Sequence, residues 1–417
     1  MNRYVKRKMH NIFIWFTFSL VSSELTDNID FTALGPSPRR DLLFPELVKY
    51  DGYPCESHYV TTEDHYILGL FRINTAPHND SCPCDYADRE PIIYVHGLFL
   101  SGDDCIVPGR GRSHCYNFAD ACYDVWIANS RGNHYSRNHT TLNPDKDKAF
   151  WDFSFDEMAR KDMPAIIDYV LEKTKKTQVV IVSHSQGATV TYLLCAAKPE
   201  YNDKIKYGFG FSPTGWLDHS KFFVIGVQAL VAGALEGKND INFEILRHIG
   251  PASALGKFLC GLSELQYPVC MALLFTALGY DRFQIKSDTI NVLPGHFLAG
   301  TSMKDFVHWG QVRKNGFNHY DFGASKNLEI YGQKTAPPYN LSSVTTKWIF
   351  FAGLNDYVAP VADVQKLVSA MPNAELCVLK DKNWGHLDFI YADNLAVYLD
   401  PQILRTLDTC NFTCNLY

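Results

Sequence analysis

The sequence lacks the patterns by which several classes of protein are recognised. It contains no H-E-x-x-H, paired C-x-x-C or clustered carboxylate pattern, so it predicts no metal site. It contains no Rossmann glycine fingerprint and no phosphate-binding loop, so it indicates no cofactor. Its formal net charge of −6 is spread over interspersed signs without a basic stripe, which argues against nucleic-acid binding.

Long apolar runs are also missing. The run near the N-terminus, at 12–21, is about half of the ~20 residues that a membrane-spanning helix needs. It follows four basic residues between positions 3 and 8 and precedes Ser22 and Ser23, an order typical of a secretory signal peptide. We therefore predict a signal peptide at residues 1–23, with a short membrane anchor as the alternative, and no transmembrane segment after cleavage.

Cysteine and glycosylation signals agree with a secretory compartment. The chain has twelve cysteines, and the close pairs would be oxidised there, although sequence does not fix their connectivity: Cys105/Cys115, Cys260/Cys270 and Cys410/Cys414. Cys195 and Cys377 lie in apolar runs and are interpreted as small buried residues. Sequons for N-glycosylation begin at Asn79, Asn138, Asn340 and Asn411. The predicted location is the extracellular space or the lysosomal lumen.

The fold class follows from short apolar runs that alternate with helix-like stretches. The runs at 91–97, 124–132, 178–184, 347–353 and 375–381 show little polar alternation, which is typical of parallel strands buried on both faces. The segment 155–174 has apolar residues near helical spacing. We predict an α/β fold, interrupted at about 216–338 by a mostly helical insertion that contains the apolar stretches 222–235 and 270–280.

Ser185 is the candidate nucleophile. It lies in SHSQG, where the β-like run 179–182 meets the helix-like run 188–197, as in a strand-turn-helix elbow that lifts a serine out of a sheet. The flanking positions of such a turn must be small, a condition that Gly187 meets and Ser183 meets less well. An ordinary loop serine is the alternative interpretation of this pentapeptide.

Asp356 and His386 are the candidate acid and base. Each follows a predicted strand, and the chain order Ser, Asp, His is that of α/β-hydrolases. Asp363 and Asp388 compete with Asp356 for the role of the acid.

The oxyanion hole would use the main-chain N–H groups of Gln186 and of Leu98, which lies in the loop after the run 91–97. His96 in the same loop is interpreted as structural, because a histidine before a glycine at a strand end is more often structural than catalytic.

At this point the chain resembles the acid lipase family, which includes lysosomal acid lipase and gastric lipase. The likeness extends from about 48 to 393 and rests on ordered stretches such as YVHGLF at 94–99, AGTSMKDFVHWGQ at 299–311, GLNDYVAP at 353–360 and WGHLDF at 384–389. It implies an α/β-hydrolase core, formed by 24–215 and 339–417, beneath a cap and lid formed by 216–338.

The resemblance also implies the site. Ser185, Asp356 and His386 would form the triad, Leu98 and Gln186 would supply the oxyanion hole, and Cys260 with Cys270 would correspond to the family's cap disulfide. The chain departs from the family at Ser183 and at His65, where glycine is usual, and the extra cysteines at 82–122 predict disulfides of its own.

The predicted function is hydrolysis of lipid esters, such as triglycerides or cholesteryl esters, through an acyl-enzyme on Ser185 at a lipid–water interface. The alternatives are a non-catalytic lipid carrier on the same fold, which would have no need of all three triad residues, and acyl transfer to an acceptor other than water.

Overall fold

A computed structural model describes residues 37–74, 88–235, 241–248, 278–279, 281 and 284–414. The predicted signal peptide, Asn79, Cys260 and Cys270 lie outside the described residues, as does most of 270–280. The strands are β1 Glu56–Thr61, β2 Ile67–Ile73, β3 Pro91–Val95, β4 Asp124–Ala128, β5 Val179–His184, β6 Ile205–Phe211, β7 Glu244–Ile245, β8 Thr301–Ser302, β9 Trp348–Ala352 and β10 Ala374–Val378.

Helices flank these strands along the described chain. They are α1 Phe44–Tyr50, α2 His114–Asp120, α3 Phe155–Glu157, α4 Met163–Thr174, α5 Gln186–Ala197, α6 Phe223–Leu235, α7 Ser287–Val292, α8 Met303–Asn315, α9 Ala324–Tyr331, α10 Val361–Ser369, α11 Asp388–Tyr391, α12 Leu395–Tyr398 and α13 Asp400–Thr409. A π-helical stretch, Met158–Asp162, joins α3 to α4, and short 3-10 turns lie at Pro38–Asp41, Gly102–Cys105, Lys148–Trp151, Pro199–Asn202, Leu293–Gly295 and Leu341–Ser343.

Eight strands form one sheet in the order β1-β2-β4-β3-β5-β6-β9-β10. β1 pairs with β2, and β2 with β4, in the antiparallel sense, whereas the six strands β4-β3-β5-β6-β9-β10 pair in parallel. The α/β fold class and the mostly parallel sheet predicted from the sequence are therefore confirmed.

The strands are apolar throughout because both faces of the sheet are covered. Val179 and Ile181 of β5 belong to the hydrophobic cluster that contains residues of α4, whereas Val180 and Val182 belong to the cluster that contains residues of α1, α2 and α13. Alternate side chains of one strand thus enter two separate cores, which removes the polar alternation of a one-sided strand.

β6 was not among the strands predicted from the sequence. Its stretch IKYGFGF contains two glycines, which are depleted in strands. Here the glycines are needed for packing, since a Cβ at Gly208 would lie 2.4 Å from a ring atom of Trp348, and one at Gly210 would lie 2.7 Å from a ring atom of Phe350. Side chains of β9 fill the space that the residues of β6 leave empty.

The predicted insertion contributes α6, α7, α8, α9 and a two-stranded antiparallel ribbon of β7 and β8 within its described part. α8 packs directly on α6, because a Cβ at Gly310 would lie 2.1 Å from the carbonyl oxygen of Gln228.

The structure confirms some of the cysteine predictions and contradicts others. Cys105 and Cys115 form a disulfide as expected, and Cys195 is buried and free. Cys377 is buried as predicted, but it is bonded to Cys414 rather than an unbonded core residue, and the expected oxidation of Cys410 is wrong because Cys410 is free and exposed. α13 ends at Cys410 in a left-handed conformation, and the following residues bring Cys414 to a Cα–Cα distance of 5.5 Å from Cys377.

Candidate active site

Ser185 occupies a sharp turn between β5 and α5. Its backbone has φ 52° and ψ −122°, a strained conformation for a residue with a side chain. The turn is held by the Ser185 N–H, which donates to the carbonyl of Phe211 at the end of β6 over 2.9 Å. The side chain therefore stands at the carboxyl edge of the parallel sheet, beside the N-terminus of α5.

The two flanks of the turn differ in how much room they have. A Cβ at Gly187 would lie 2.2 Å from the carbonyl oxygen of Val95, so glycine is required there. Ser183 is fully buried, and its hydroxyl donates to the carbonyl of Phe209 over 3.1 Å. The serine that replaces the usual glycine thus has a place and a hydrogen-bond partner.

His386 and Asp356 lie beside Ser185. The Nε2 atom of His386 is 3.0 Å from Ser185 Oγ, and Nδ1 is 3.0 Å from Oδ2 and 3.2 Å from Oδ1 of Asp356. All three side chains are buried, with 4–6% of each residue's surface exposed. A carboxylate that accepts from Nδ1–H leaves the Nε2 lone pair facing the serine hydroxyl, which is the tautomer that can remove its proton.

Asp356 is held as an anion by its surroundings. Burial by itself would raise the pKa of this carboxyl, but the charge of His386, its hydrogen bond and those from Ser212 and the Ala359 N–H lower the pKa below its usual value. Ser212 Oγ donates over 2.5 Å, and the N–H groups of Val358 and Ala359 each donate over 2.8 Å.

The competing carboxylates are engaged elsewhere. Asp363 contacts His219 Nδ1 at 2.7 Å, and Asp388 accepts from the N–H groups of Gly385 and Asp281. Among the described residues, Asp356 is the carboxylate within hydrogen-bonding distance of His386.

The loop after β3 packs against the turn at Ser185. A Cβ at Gly97 would lie 3.2 Å from Ser185 Cβ, so Leu98 follows a residue in direct contact with the candidate nucleophile. Gln186 is the first residue of α5, and the first N–H groups of a helix have no partner within that helix. Of the two proposed oxyanion donors, Gln186 thus directly follows Ser185 in the chain, and Leu98 follows the glycine that packs on it.

His96 is buried, and burial lowers its pKa to about 4, so the ring is neutral at physiological pH. Nδ1–H donates to the Gly97 carbonyl over 2.8 Å, and Nε2 accepts from the Ser130 N–H. These contacts agree with the structural role expected for it.

Sequence reasoning missed several residues that border the site. His184 donates from Nε2 to the carbonyl of His386 over 3.0 Å, and its position next to Ser185 was the available signal. Ser212 directly follows β6, so it was overlooked together with that strand. Asp305 and Trp309, which contact Gln186, lie in the stretch 299–311 that carried part of the resemblance but no assigned role.

Other predicted features are located as follows. Asn138, Asn340 and Asn411 are exposed, as an acceptor of a glycan must be. In the described part of the chain, no group of three or more His, Cys, Asp or Glu side chains is arranged to hold a metal ion. Over the same residues, no helix has both the length and the apolar character needed to cross a membrane.

Comparison with known proteins identifies the family. A family model described as "Partial alpha/beta-hydrolase lipase region" matches residues 44–108, and one described as "alpha/beta hydrolase fold" matches residues 90–230. Gastric triacylglycerol lipase of Rattus norvegicus is 34% identical over 369 residues, which cover 87% of this chain and 91% of that protein. The chain belongs to the acid lipase family of α/β-hydrolases.

Other members of the acid lipase family match to a similar extent. Lipase member M of Homo sapiens is 33% identical over 85% of this chain and 82% of that protein. Among solved structures, naproxen esterase of Bacillus subtilis aligns over 88% of this chain and 99% of that chain, with a TM-score of 0.46 and 13% identity. Membership in the acid lipase family therefore rests on the sequence matches.

Proposed function

We propose that the protein is a serine hydrolase that cleaves carboxylic esters of lipids through an acyl-enzyme on Ser185. The observation that carries the proposal is the continuous chain of contacts from Ser185 Oγ to His386 Nε2 and from His386 Nδ1 to Asp356, with 3.0 Å at each step. A nucleophile, its base and the acid that orients the base are the parts that acyl transfer to serine requires.

In the proposed reaction, Ser185 Oγ bonds to the ester carbonyl carbon while His386 Nε2 takes the hydroxyl proton. The tetrahedral oxyanion is stabilised by the N–H groups of Leu98 and Gln186. The intermediate collapses, the C–O bond to the alcohol breaks, and His386 returns the proton to the leaving alcohol. Water then repeats the sequence on the acyl-enzyme and releases a carboxylic acid, and Asp356 stabilises the imidazolium that forms in each half.

Several observations support a lipid as the substrate. The relatives are named as lipases, one of them as a triacylglycerol lipase. α6 exposes apolar side chains to solvent, with Phe223 62% and Leu230 76% exposed. In the proposed arrangement, 216–338 is a cap over a core of 24–215 and 339–417, and this face of α6 meets a lipid–water interface.

The proposed location is the secretory pathway, with the extracellular space or the lysosomal lumen as the destination. Disulfides such as Cys105–Cys115 and Cys377–Cys414 persist in oxidising compartments, and the exposed sequons at Asn138, Asn340 and Asn411 suit the same route.

The test uses purified protein, short-chain and long-chain esters, and a range of about pH 4 to 8. Ser185→Ala abolishes turnover, and Asp356→Asn lowers kcat by about 10⁴-fold because the imidazole then adopts the wrong tautomer. Asp363→Asn is the matched control, since this buried carboxylate contacts His219 and is expected to leave kcat close to that of the wild type.

Equal turnover by the wild type and Ser185→Ala would refute the proposal, and so would a wild type that hydrolyses no ester at any of these pH values. Lipid binding without turnover would identify a carrier. Analysis of the products in the presence of an alcohol separates hydrolysis from acyl transfer.

A further inference from the structure

The side chain of Gln186 is held at both of its polar atoms by α8. The indole Nε1–H of Trp309 donates to Gln186 Oε1, and Gln186 Nε2 donates to Asp305 Oδ2 over 3.2 Å. Gln186 is buried, with 5% exposed, so these bonds are made away from solvent. The residue proposed to supply an oxyanion donor is thus fastened to the predicted insertion.

The two groups that hold Gln186 are themselves fixed. Asp305 Oδ1 accepts from the N–H of Phe155 over 2.9 Å, and Oδ2 also accepts from Thr301 Oγ1 over 3.0 Å. The ring of Trp309 packs on that of Phe155, with the centroids 4.6 Å apart. Asp305 and Trp309 therefore form a rigid support between α8 and the core helix α3.

This support acts at the first residue of α5, beside the peptide whose carbonyl oxygen, that of Ser185, accepts from the Ala188 N–H over 3.0 Å. The Gln186 N–H belongs to the peptide that joins it to Ser185, whose strained ψ sets the direction of the bond. Because α5 starts there, no turn of helix precedes that peptide to orient it. A shift of the Gln186 Cα would rotate the N–H away from the position of the oxyanion.

We propose that Asp305 and Trp309 are positioning residues that hold the main-chain N–H of Gln186 in the direction an oxyanion hole requires. The inference rests on the proposed function, and it makes α8 part of the catalytic geometry. Since α8 also packs on the exposed helix α6 through Gly310, a displacement of α6 would reach the oxyanion hole through one rigid element.

The first test is Trp309→Phe, which keeps an aromatic ring against Phe155 and removes the indole donor. We expect kcat to fall by about 10-fold or more with little change in KM, because an oxyanion donor acts in the transition state, and complete loss of one donor costs about 10²–10³-fold. Trp348→Phe is the matched control: this indole lies in the same core cluster and its Nε1 has no hydrogen-bond partner among the described residues.

The second test compares two substitutions at Asp305. Asp305→Asn keeps one carbonyl oxygen that can accept from Gln186 Nε2 while its NH2 takes the place of the oxygen that accepts from the Phe155 N–H, so it is expected to retain more activity than a variant without an acceptor. Asp305→Leu has a similar size, offers no acceptor, and is expected to lower kcat as Trp309→Phe does. Equal kcat for the two variants would contradict a positioning role for this acceptor, since the loss would then follow from the altered packing alone.

A third measurement does not depend on ester turnover. Hydrogen–deuterium exchange of the peptide covering 183–190 is expected to accelerate about 10-fold in Trp309→Phe and to stay at the wild-type rate in Trp348→Phe. Unchanged exchange together with unchanged kcat would overturn the inference. A wild type that is inactive on every ester would refute the proposed function, while the exchange experiment would still decide whether Trp309 restrains this turn.

Discussion

The two flanks of the turn at Ser185 are expected to respond in opposite ways to substitution. Ser183→Gly removes the hydrogen bond to the Phe209 carbonyl, which contributes about 1 kcal/mol, and places a glycine inside a strand, which costs about 0.5–1 kcal/mol more. The expected loss is about 2 kcal/mol in the free energy of unfolding. Little change in kcat is expected, because the backbone at Ser185 keeps its hydrogen bond to Phe211.

Ser183→Ala separates the two contributions, since it keeps the Cβ and removes only the hydroxyl. It is expected to cost about 1 kcal/mol, half of the loss in Ser183→Gly. Gly187→Ala is the opposite case. Its Cβ would lie 2.2 Å from one backbone oxygen and 2.6 Å from the next, those of Val95 and His96, and backbone atoms cannot move aside as a flexible side chain can. Overpacking of about 3 kcal/mol or more and a large loss of kcat are expected.

Urea unfolding followed by circular dichroism measures the stabilities, and initial rates on a soluble ester measure kcat for the same preparations. If Ser183→Gly raised kcat by about 10-fold or more, the serine would be shown to strain the turn, and the reasoning from its hydrogen bond would be wrong. A Gly187→Ala variant with wild-type stability and activity would contradict the steric argument equally directly.

Three further predictions concern stability, measured by urea unfolding. Burial raises the pKa of Asp305 to about 7, so between about pH 4 and 7 the folded protein holds a proton that the unfolded chain releases. The stability that comes from holding this proton is fully present below the unfolded pKa near 4 and is lost as pH rises through 7. The free energy of unfolding of Asp305→Asn should therefore rise relative to that of the wild type by about 1.4 kcal/mol per pH unit over that range. A difference between the two that stays constant with pH would contradict the raised pKa of Asp305. Cys414→Ser opens the loop to Cys377 and should cost about 3 kcal/mol, whereas Cys410→Ser should cost nothing. His65 has φ 75°, so His65→Gly should stabilise the fold by about 0.5–1 kcal/mol, and a loss would show that the ring contributes more than the strain costs.

The central strands could be predicted because their sequences carry the cause of their burial. The stretch 179–182 is β-branched throughout, and such a run fits a strand with a core on each face. β6 could not be recognised in the same way. Its glycines at 208 and 210 are explained by Trp348 and Phe350, whose rings lie over them. That packing depends on the register between β6 and β9, which is set by the tertiary structure and not by the local sequence.

The candidate site shows the same division. Ser185, Asp356 and His386 could be placed together because each follows a strand, and parallel strands end at one edge of a sheet. The choice of Asp356 over Asp363 depends on the contact with His386, which no local pattern predicts. Partners that come from distant segments leave no local signal.

The pentapeptide SHSQG explains why a local pattern can specify a site whose parts are so far apart in sequence. Ser183 donates to β6, His184 donates to the carbonyl of His386, and Gln186 binds α8 with both polar atoms. Gly187 allows the helix to approach the end of β3. Each residue around Ser185 is therefore matched to a different neighbour, so a change at one flank need not impair the others. For that reason a serine at 183, whose hydroxyl donates to β6, is compatible with an intact turn, whereas no side chain fits at 187.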